Sequence, residues 1–306
     1  MEENNSKSKE KSGWRVLITG AGSYVGTGIE EYLCRYNSRE GRERYRVDKI
    51  SLREESWHNY DFSSYDVVFH TAGIAHADTG KVTEEEKKLY YRVNRDLAVE
   101  TAAKAKAEGV SLFIYMSSII VYGDQVKITR DTQPSPSGFY GDSKLQAEKA
   151  LNMLVSSEFQ VAVLRPPMIY GKGSRGNYPL LAQIADKTLV FPKIENKRSM
   201  LYIENLAEFV RLLIESGKGG IYFPQNKEYA NTSYVVETIG KVRGKKIWLL
   251  RLLNPFVYLA EKIPGKVGQL AVKAFGSLVY DMEMSRDFGG YQIYSLEESI
   301  GRAEGK

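Results

Sequence analysis

Arg15-Val-Leu-Ile-Thr-Gly-Ala-Gly-Ser-Tyr-Val-Gly26 decides how the rest of this 306-residue chain is read. Four apolar or β-favouring residues in a row predict a short buried strand. Three glycines then predict a tight turn, and Val25 to about Tyr36 reads as the helix that follows. Glycines in a strand–turn–helix context let the backbone approach a pyrophosphate, while the helix N-terminus offers N–H donors and the positive end of its dipole. The spacing Gly20, Gly22, Gly26 is one residue longer than the standard dinucleotide fingerprint. Taken alone it is also compatible with a glycine-rich turn that binds nothing.

Outward from this turn, apolar runs alternate with amphipathic segments. Strands are expected near Val47–Leu52, at Asp66–His70, at Leu112–Met116 and at Val161–Leu164. Helices are expected over Glu84–Lys106, where Leu89, Val93, Leu97 and Ala98 fall near helical spacing, and over Tyr140 to about Leu154. Strands alternating with helices imply an α/β fold, a parallel sheet with helices on both faces. After Arg165 the pattern breaks into short pieces punctuated by Pro166, Pro167, Pro179 and Pro192. The expected organisation is a disordered tail over residues 1–13, a dinucleotide-binding domain over 14–165, and a mainly substrate-binding region over 166–306 with some elements returning to the first domain.

Composition excludes several classes. Hydrophobic residues make up 42% and charged residues 26%, ordinary values for a globular chain. The lone cysteine, Cys34, cannot form an internal disulfide or a metal site by itself, which suits a reducing cytoplasm. A net charge of +5 suits phosphate-bearing ligands without being diagnostic. The polar first 13 residues read as a solvated tail, neither a nucleic-acid arm nor a secretory signal. No run reaches the roughly 18 apolar residues of a membrane-spanning helix. The nearest approach, Ile247–Tyr280, is broken by Arg251, Glu261, Lys262, Lys266 and Lys273.

The chemistry concentrates in Tyr140-Gly-Asp-Ser-Lys144. Residues i and i+4 share a helix face, which places an ammonium near a phenol. A cation there is expected to pull the phenol below its usual value near 10, toward general-base work. Ahead of it stand Tyr115-Met-Ser-Ser-Ile-Ile-Val-Tyr-Gly123 and Pro136, and behind it Ala147-Glu148. His70-Thr-Ala-Gly73 and Val93-Asn94 lie upstream in matching order.

Together these motifs resemble the extended short-chain dehydrogenases/reductases, the family of nucleotide-sugar epimerases and dehydratases, over about Val16 to Leu296. The resemblance implies a Rossmann-type doubly wound sheet and a smaller C-terminal substrate-binding region. Thr19, Gly20 and Gly26 match the family's T-G-x-x-G-x-x-G loop, with Ser23 in place of the middle glycine. It implies a catalytic set of Ser118, Tyr140 and Lys144. It also implies a cofactor site formed by Gly20, Gly22, Ser23, Tyr24, Val25, Gly26, Ser51, Arg53, Thr71, Ala72, Gly73, Asn94, Ser117, Tyr140, Lys144 and Pro167. NAD is the expected cofactor. NADP stays open, because Ser51 with Arg53 could accommodate a 2′-phosphate, whereas Glu54 or Glu55 could serve an NAD ribose. His70 reads best as a buried strand-end histidine, and His76 equally as a substrate contact or an exposed loop residue.

In such enzymes the tyrosine removes a sugar hydroxyl proton as hydride moves to the nicotinamide. The positions that carry the extra acid and base of a 4,6-dehydratase are here Ile119 and Ile120, and Cys34 lies far from a sugar. Simple 4-epimerisation of a UDP-sugar is the reaction that needs no further groups. A nucleotide-sugar ketoreductase, a 4-epimerase of a polyprenyl-diphosphate-linked sugar and, more remotely, a non-catalytic NAD(P) sensor are the alternatives. Arg198-Ser-Met-Leu-Tyr-Ile-Glu-Asn-Leu206 resembles the element whose arginine grips the diphosphate, so Ser118, Asn177, Arg198 and Tyr280 are the expected substrate contacts. Met168 departs from the family, which usually has an asparagine there. The family further implies a homodimer through the helices at 84–106 and 140–154. Lys and Arg interleaved with Trp248, Leu252 and Phe256 allow peripheral membrane contact through 245–273, at the cytoplasmic surface. No metal ligand set and no nucleic-acid partner are expected.

Overall fold

A computed structural model describes residues 13–75 and 83–305. The expected disordered tail, apart from Gly13, and His76 therefore lie outside the described residues. The first half runs β1 (Trp14–Thr19), α1 (Tyr24–Glu40), β2 (Tyr45–Ile50), β3 (Val67–His70), α2 (Glu84–Tyr91), α3 (Leu97–Ala107), β4 (Leu112–Met116), β5 (Lys127–Ile128), α4 (Phe139–Asn152) and β6 (Gln160–Leu164). The second half runs β7 (Met168–Tyr170), α5 (Asn177–Lys187), β8 (Val190–Pro192), β9 (Met200–Tyr202), α6 (Ile203–Ser216) and β10 (Gly220–Tyr222). It ends with α7 (Thr232–Val242), β11 (Trp248–Leu250), α8 (Asn254–Glu261), α9 (Lys266–Phe275), β12 (Val279–Tyr280) and α10 (Leu296–Ala303).

Six of these strands form one parallel sheet in the order β2-β1-β3-β4-β6-β10. Strand residues alternate between faces, and both faces are covered. Val16 and Ile18 belong to a core shared with Ile29 of α1 and Leu206 of α6, while Leu17 belongs to a second core with Ala102 of α3 and Leu151 of α4. This is a doubly wound sheet, as the alternation predicted. The strand order reverses between β1 and β3, and ligands of such sheets bind outside the carboxyl ends of the strands at that point. Relative to the common 3-2-1-4-5-6 order, the β2 edge is one strand short. Residues 51–66 instead hold a 3₁₀ turn at Glu55–Asn59 that buries Trp57.

Several boundaries differ from the sequence expectation. β2 ends at Ile50, so Ser51 is the first residue beyond it. The expected helix Glu84–Lys106 is interrupted: α2 and α3 are joined by a π-helical turn, Arg92–Asp96, with Asn94 fully buried inside it. A wider turn of this kind often marks a functional position. The second half adds three small parallel pairs, β7 with β9, β8 with β11 and β5 with β12. Three of its elements reach back, since β10 extends the main sheet, β12 pairs with β5 and α6 packs on α1.

Candidate active site

The glycine turn closes on itself before any ligand arrives. Gly20 has φ +94°, and a Cβ there would lie 2.8 Å from the Ala72 nitrogen, so a side chain is barred twice over. Ser23 caps α1, its hydroxyl accepting from the Gly26 N–H at 3.0 Å and bonding Thr71 Oγ1 at 2.7 Å. Thr71 in turn donates to the Thr19 carbonyl at 2.7 Å. The residue that replaces the family's glycine thus ties the turn to the end of β3. The N–H groups of Tyr24 and Val25, at the start of α1, have no protein acceptor among the described residues. Side chains excluded above the turn and free N–H groups facing out of the helix are what a dinucleotide pyrophosphate requires. The residues present therefore fit the expected cofactor.

Ser51 and Arg53 are both exposed beyond β2, and the Arg53 N–H donates to Ser51 Oγ at 3.3 Å. No acidic side chain occupies the last position of β2, which is Ile50. His70 is fully buried, its Nδ1 2.9 Å from Thr19 Oγ1, and burial pushes it down to about 3, so it stays neutral. Asn94 bridges from the π turn: its Oδ1 accepts from the Ile74 N–H at 2.8 Å and its Nδ2 donates to Ser143 Oγ at 3.2 Å. It thereby joins the strand-end loop at Gly73 to α4.

Ser118 leaves β4 in extended backbone and caps a short 3₁₀ turn, Ile119–Tyr122. Its hydroxyl lies beside the Tyr140 phenol and favours the ionised phenol. The approach is possible because residue 141 is glycine: a Cβ there would stand 2.8 Å from the Ile120 carbonyl oxygen and 2.9 Å from Pro136. Lys144, one helical turn on, is buried and donates from Nζ to the Met116 carbonyl at 2.8 Å, over the Tyr115 ring. The three expected catalytic side chains converge at the carboxyl end of β4.

Their electrostatics differ from the sequence expectation. Burial pushes the Tyr140 phenol up to about 12, although the Ser118 hydroxyl opposes this. Lys144 does not bond the phenol, and burial lowers its own ammonium to about 8 against the support of Glu148. Desolvation of the tyrosine is the largest influence on it, and the expected lowering by the Lys144 cation is not seen.

Sequence reading assigned Glu148 no role. It lies four residues beyond Lys144, hence on the same face of α4. Its carboxylate is buried and clamped by Arg165, with Nε at 3.1 Å from both oxygens and Nη2 at 2.5 Å from Oε2. Ser117 donates to the same carboxylate, and Arg165 Nη1 donates to Tyr122 at 2.7 Å. Both flanks of the Ser118 turn are therefore fastened to one ion pair. The hydroxyl of Ser117, an expected cofactor contact, is committed to Glu148. The helical spacing Tyr140, Lys144, Glu148 was the available signal.

The expected substrate residues divide. Asn177 is the exposed first residue of α5; Pro167, an expected cofactor contact, is buried just after β6. Arg198 is half-buried and donates to the Gly276 carbonyl at 2.8 Å, with no carboxylate partner among the described residues. Burial pulls this guanidinium below its usual range. Tyr280 is a correction. It is fully buried and donates its hydroxyl to the Arg165 carbonyl at 2.8 Å, so it is part of the core behind the site. Beside the glycine turn a cleft of about 570 Å³ is rimmed by Arg35, Lys172, Arg175 and Arg302. None of Ser118, Tyr140 and Lys144 lines it. Among the described residues no cluster of His, Cys, Asp or Glu could hold a metal.

A doubly wound parallel sheet with this glycine turn defines a dinucleotide-binding scaffold. The model of the NAD dependent epimerase/dehydratase family matches residues 16–223, and the chain belongs to that family. It is 28% identical to the N-acetyl-alpha-D-glucosaminyl-diphospho-ditrans,octacis-undecaprenol 4-epimerase of Escherichia coli O157:H7, over 94% of this chain and 93% of that one. It is 26% identical to the UDP-glucose 4-epimerase of Vibrio cholerae, over 90% of each. Among solved structures, the Bordetella bronchiseptica enzyme WbmG in complex with NAD superposes with a TM-score of 0.70 at 19% identity, covering 96% of this chain and 94% of that one.

Proposed function

We propose that this NAD-dependent enzyme epimerises C4 of a diphosphate-linked sugar, with a UDP-sugar as the first donor. The observation that carries the reading is the Ser118–Tyr140 contact above buried Lys144, followed by Ile119 and Ile120. NAD supplies a reversible hydride acceptor and, when oxidised, a positively charged ring. Ser118 holds the sugar hydroxyl, and Tyr140 accepts its proton and later returns it. Lys144 orients the cofactor ribose, while the Ser118 contact opposes the burial that keeps Tyr140 protonated. Two isoleucines beside Ser118 cannot move protons, which disfavours dehydration. Both relatives named above are 4-epimerases, which supports the same reading.

Arg198 is the proposed diphosphate clamp, since a guanidinium can bind phosphate oxygens bidentately. A homodimer through α2, α3 and α4 is proposed on the family resemblance, with Leu89 of α2 exposed to meet a partner. A second donor, a polyprenyl-diphosphate sugar, is favoured by the E. coli relative and by exposed apolar side chains within residues 245–273, where peripheral membrane contact is proposed.

The test is incubation with UDP-glucose and UDP-N-acetylglucosamine at substoichiometric NAD, followed by NMR of the sugar. Accumulation of the C4 epimer supports the proposal. Sugar oxidation that stops at one equivalent of the added NAD, with NADH formed and no epimer, would identify a ketoreductase running in reverse, and tight nucleotide binding without turnover on any donor would identify a sensor.

A further inference from the structure

Beyond isolated cases such as Val126 and Met153, exposed apolar side chains concentrate in two stretches, residues 180–190 and 248–263. On β11, Trp248 and Leu250 share one face, opposite Leu249, which packs on the core. The β8 register sets Val190 beside Trp248, and Val190 is exposed too. Leu252, Phe256, Leu259 and Ile263 then follow at steps of four, three and four, the spacing of a single helical stripe. They are 81%, 69%, 63% and 43% exposed, while Val257 anchors α8 on the protein.

The same surface continues toward the substrate region. On α5, Asn177, Leu180 and Ile184 fall at i, i+3 and i+7 and so share a face, whereas Leu181, Ala182 and Ala185 turn inward. Leu189 carries the exposed apolar character from the end of α5 into β8. Exposed apolar side chains thus run from Asn177, an expected substrate contact, along α5, across β8 and β11, to α8.

Charge identifies what covers it. Lys187, Lys193, Lys246, Arg251 and Lys262 are exposed on these elements or their immediate flanks, against the carboxylates Asp186, Glu195 and Glu261. Lys246 sits 3.8 Å above the Trp248 ring. Of them, Arg251 alone has a carboxylate partner among the described residues, Glu195 at 3.6 Å. Apolar side chains bordered by unpaired cations suit a headgroup region, where tails accept the former and anionic headgroups the latter. No helix among the described residues is long and apolar enough to cross a membrane, so the contact is peripheral.

We propose that the face formed by α5, β8, β11 and α8 docks on an anionic lipid bilayer. It thereby presents the site to a sugar diphosphate carried on a hydrocarbon tail. This rests on the diphosphate-sugar reading above and narrows it to a membrane-borne donor.

The test uses the full chain and vesicles of phosphatidylcholine with or without one-third phosphatidylglycerol. The wild-type chain should co-sediment with the anionic vesicles and be released by raised salt. Leu252→Glu with Phe256→Glu should reduce the bound fraction at least tenfold. In paired assays, that double variant should lose at least tenfold in turnover of a vesicle-borne polyprenyl-diphosphate N-acetylglucosamine, while turnover of the UDP-sugar and the melting temperature stay unchanged. Failure of the wild-type chain to bind anionic vesicles overturns the proposal. So does an equal loss on both donors, or a shift of the double variant from dimer to monomer, which would make the face an interface between copies. If neither donor is turned over, the epimerase reading fails, and sedimentation still decides the docking.

Discussion

Replacing Gly141 with alanine should separate activity from stability. The added methyl would stand 2.8 Å from the Ile120 carbonyl oxygen, where ordinary contact begins at 3.4 Å, so α4 and the Ser118 turn must part by about half an ångström. Overpacking of this kind costs about 1–3 kcal/mol. Alanine recovers about 1 kcal/mol of helix propensity over glycine. The net destabilisation is thus about 0–2 kcal/mol, a shift of a few degrees in melting temperature. Tyr140 is the neighbouring residue, and its contact with Ser118 spans the gap being opened. Misplacement of about 1 Å costs roughly a hundredfold in rate, so half of that should cost about tenfold or more in kcat/KM. The assay is epimerisation of the best donor, beside a thermal melt of the same preparation. A fully active Gly141→Ala enzyme would refute the claim that close helix approach positions the tyrosine.

Three further outcomes follow from the same site. Glu148→Ala leaves the buried Arg165 cation unpaired and should cost about 3–5 kcal/mol by denaturant unfolding, whereas Glu148→Gln should recover part of this. Ser51→Asp should raise the ratio of NADP to NAD dissociation constants, because a carboxylate at the end of β2 repels a 2′-phosphate; an unchanged ratio would mean the ribose lies elsewhere. Lys144, with its ammonium lowered to about 8 from 10.5 by burial, binds fewer protons folded than unfolded between those values. Its burial cost is therefore full below pH 8 and fades as pH rises toward 10.5. In nucleotide-stripped protein, Lys144→Met should be more stable than wild type at pH 7, and the difference should shrink by pH 10.

What the sequence revealed was local. The glycine turn, the i to i+4 spacing of Tyr140 and Lys144, and the runs that became β1, β3, β4 and β6 each depend on neighbouring residues. What stayed hidden depends on distant ones. The Glu148–Arg165 pair joins α4 to the residue after β6, and Tyr280 is buried by a carbonyl 115 positions away. The rise of the Tyr140 phenol was missed because desolvation is a property of the packed site, while a nearby lysine is visible in the chain. In the chain Ser23 is only the residue in place of a glycine; its bridge to Thr71 requires the end of β3 to be in place. The exposure of α8 could not be told from an ordinary buried amphipathic helix by spacing alone.

The most direct test of the account is Tyr140→Phe, which removes one hydroxyl from a buried ring. NAD binding, measured by calorimetry, and the thermal melt should remain near wild type, because the ring keeps its packing against Tyr90. C4 epimerisation should fall by at least about two orders of magnitude, the usual contribution of a positioned proton-transfer group. Retention of near-normal epimerisation by Tyr140→Phe would contradict it.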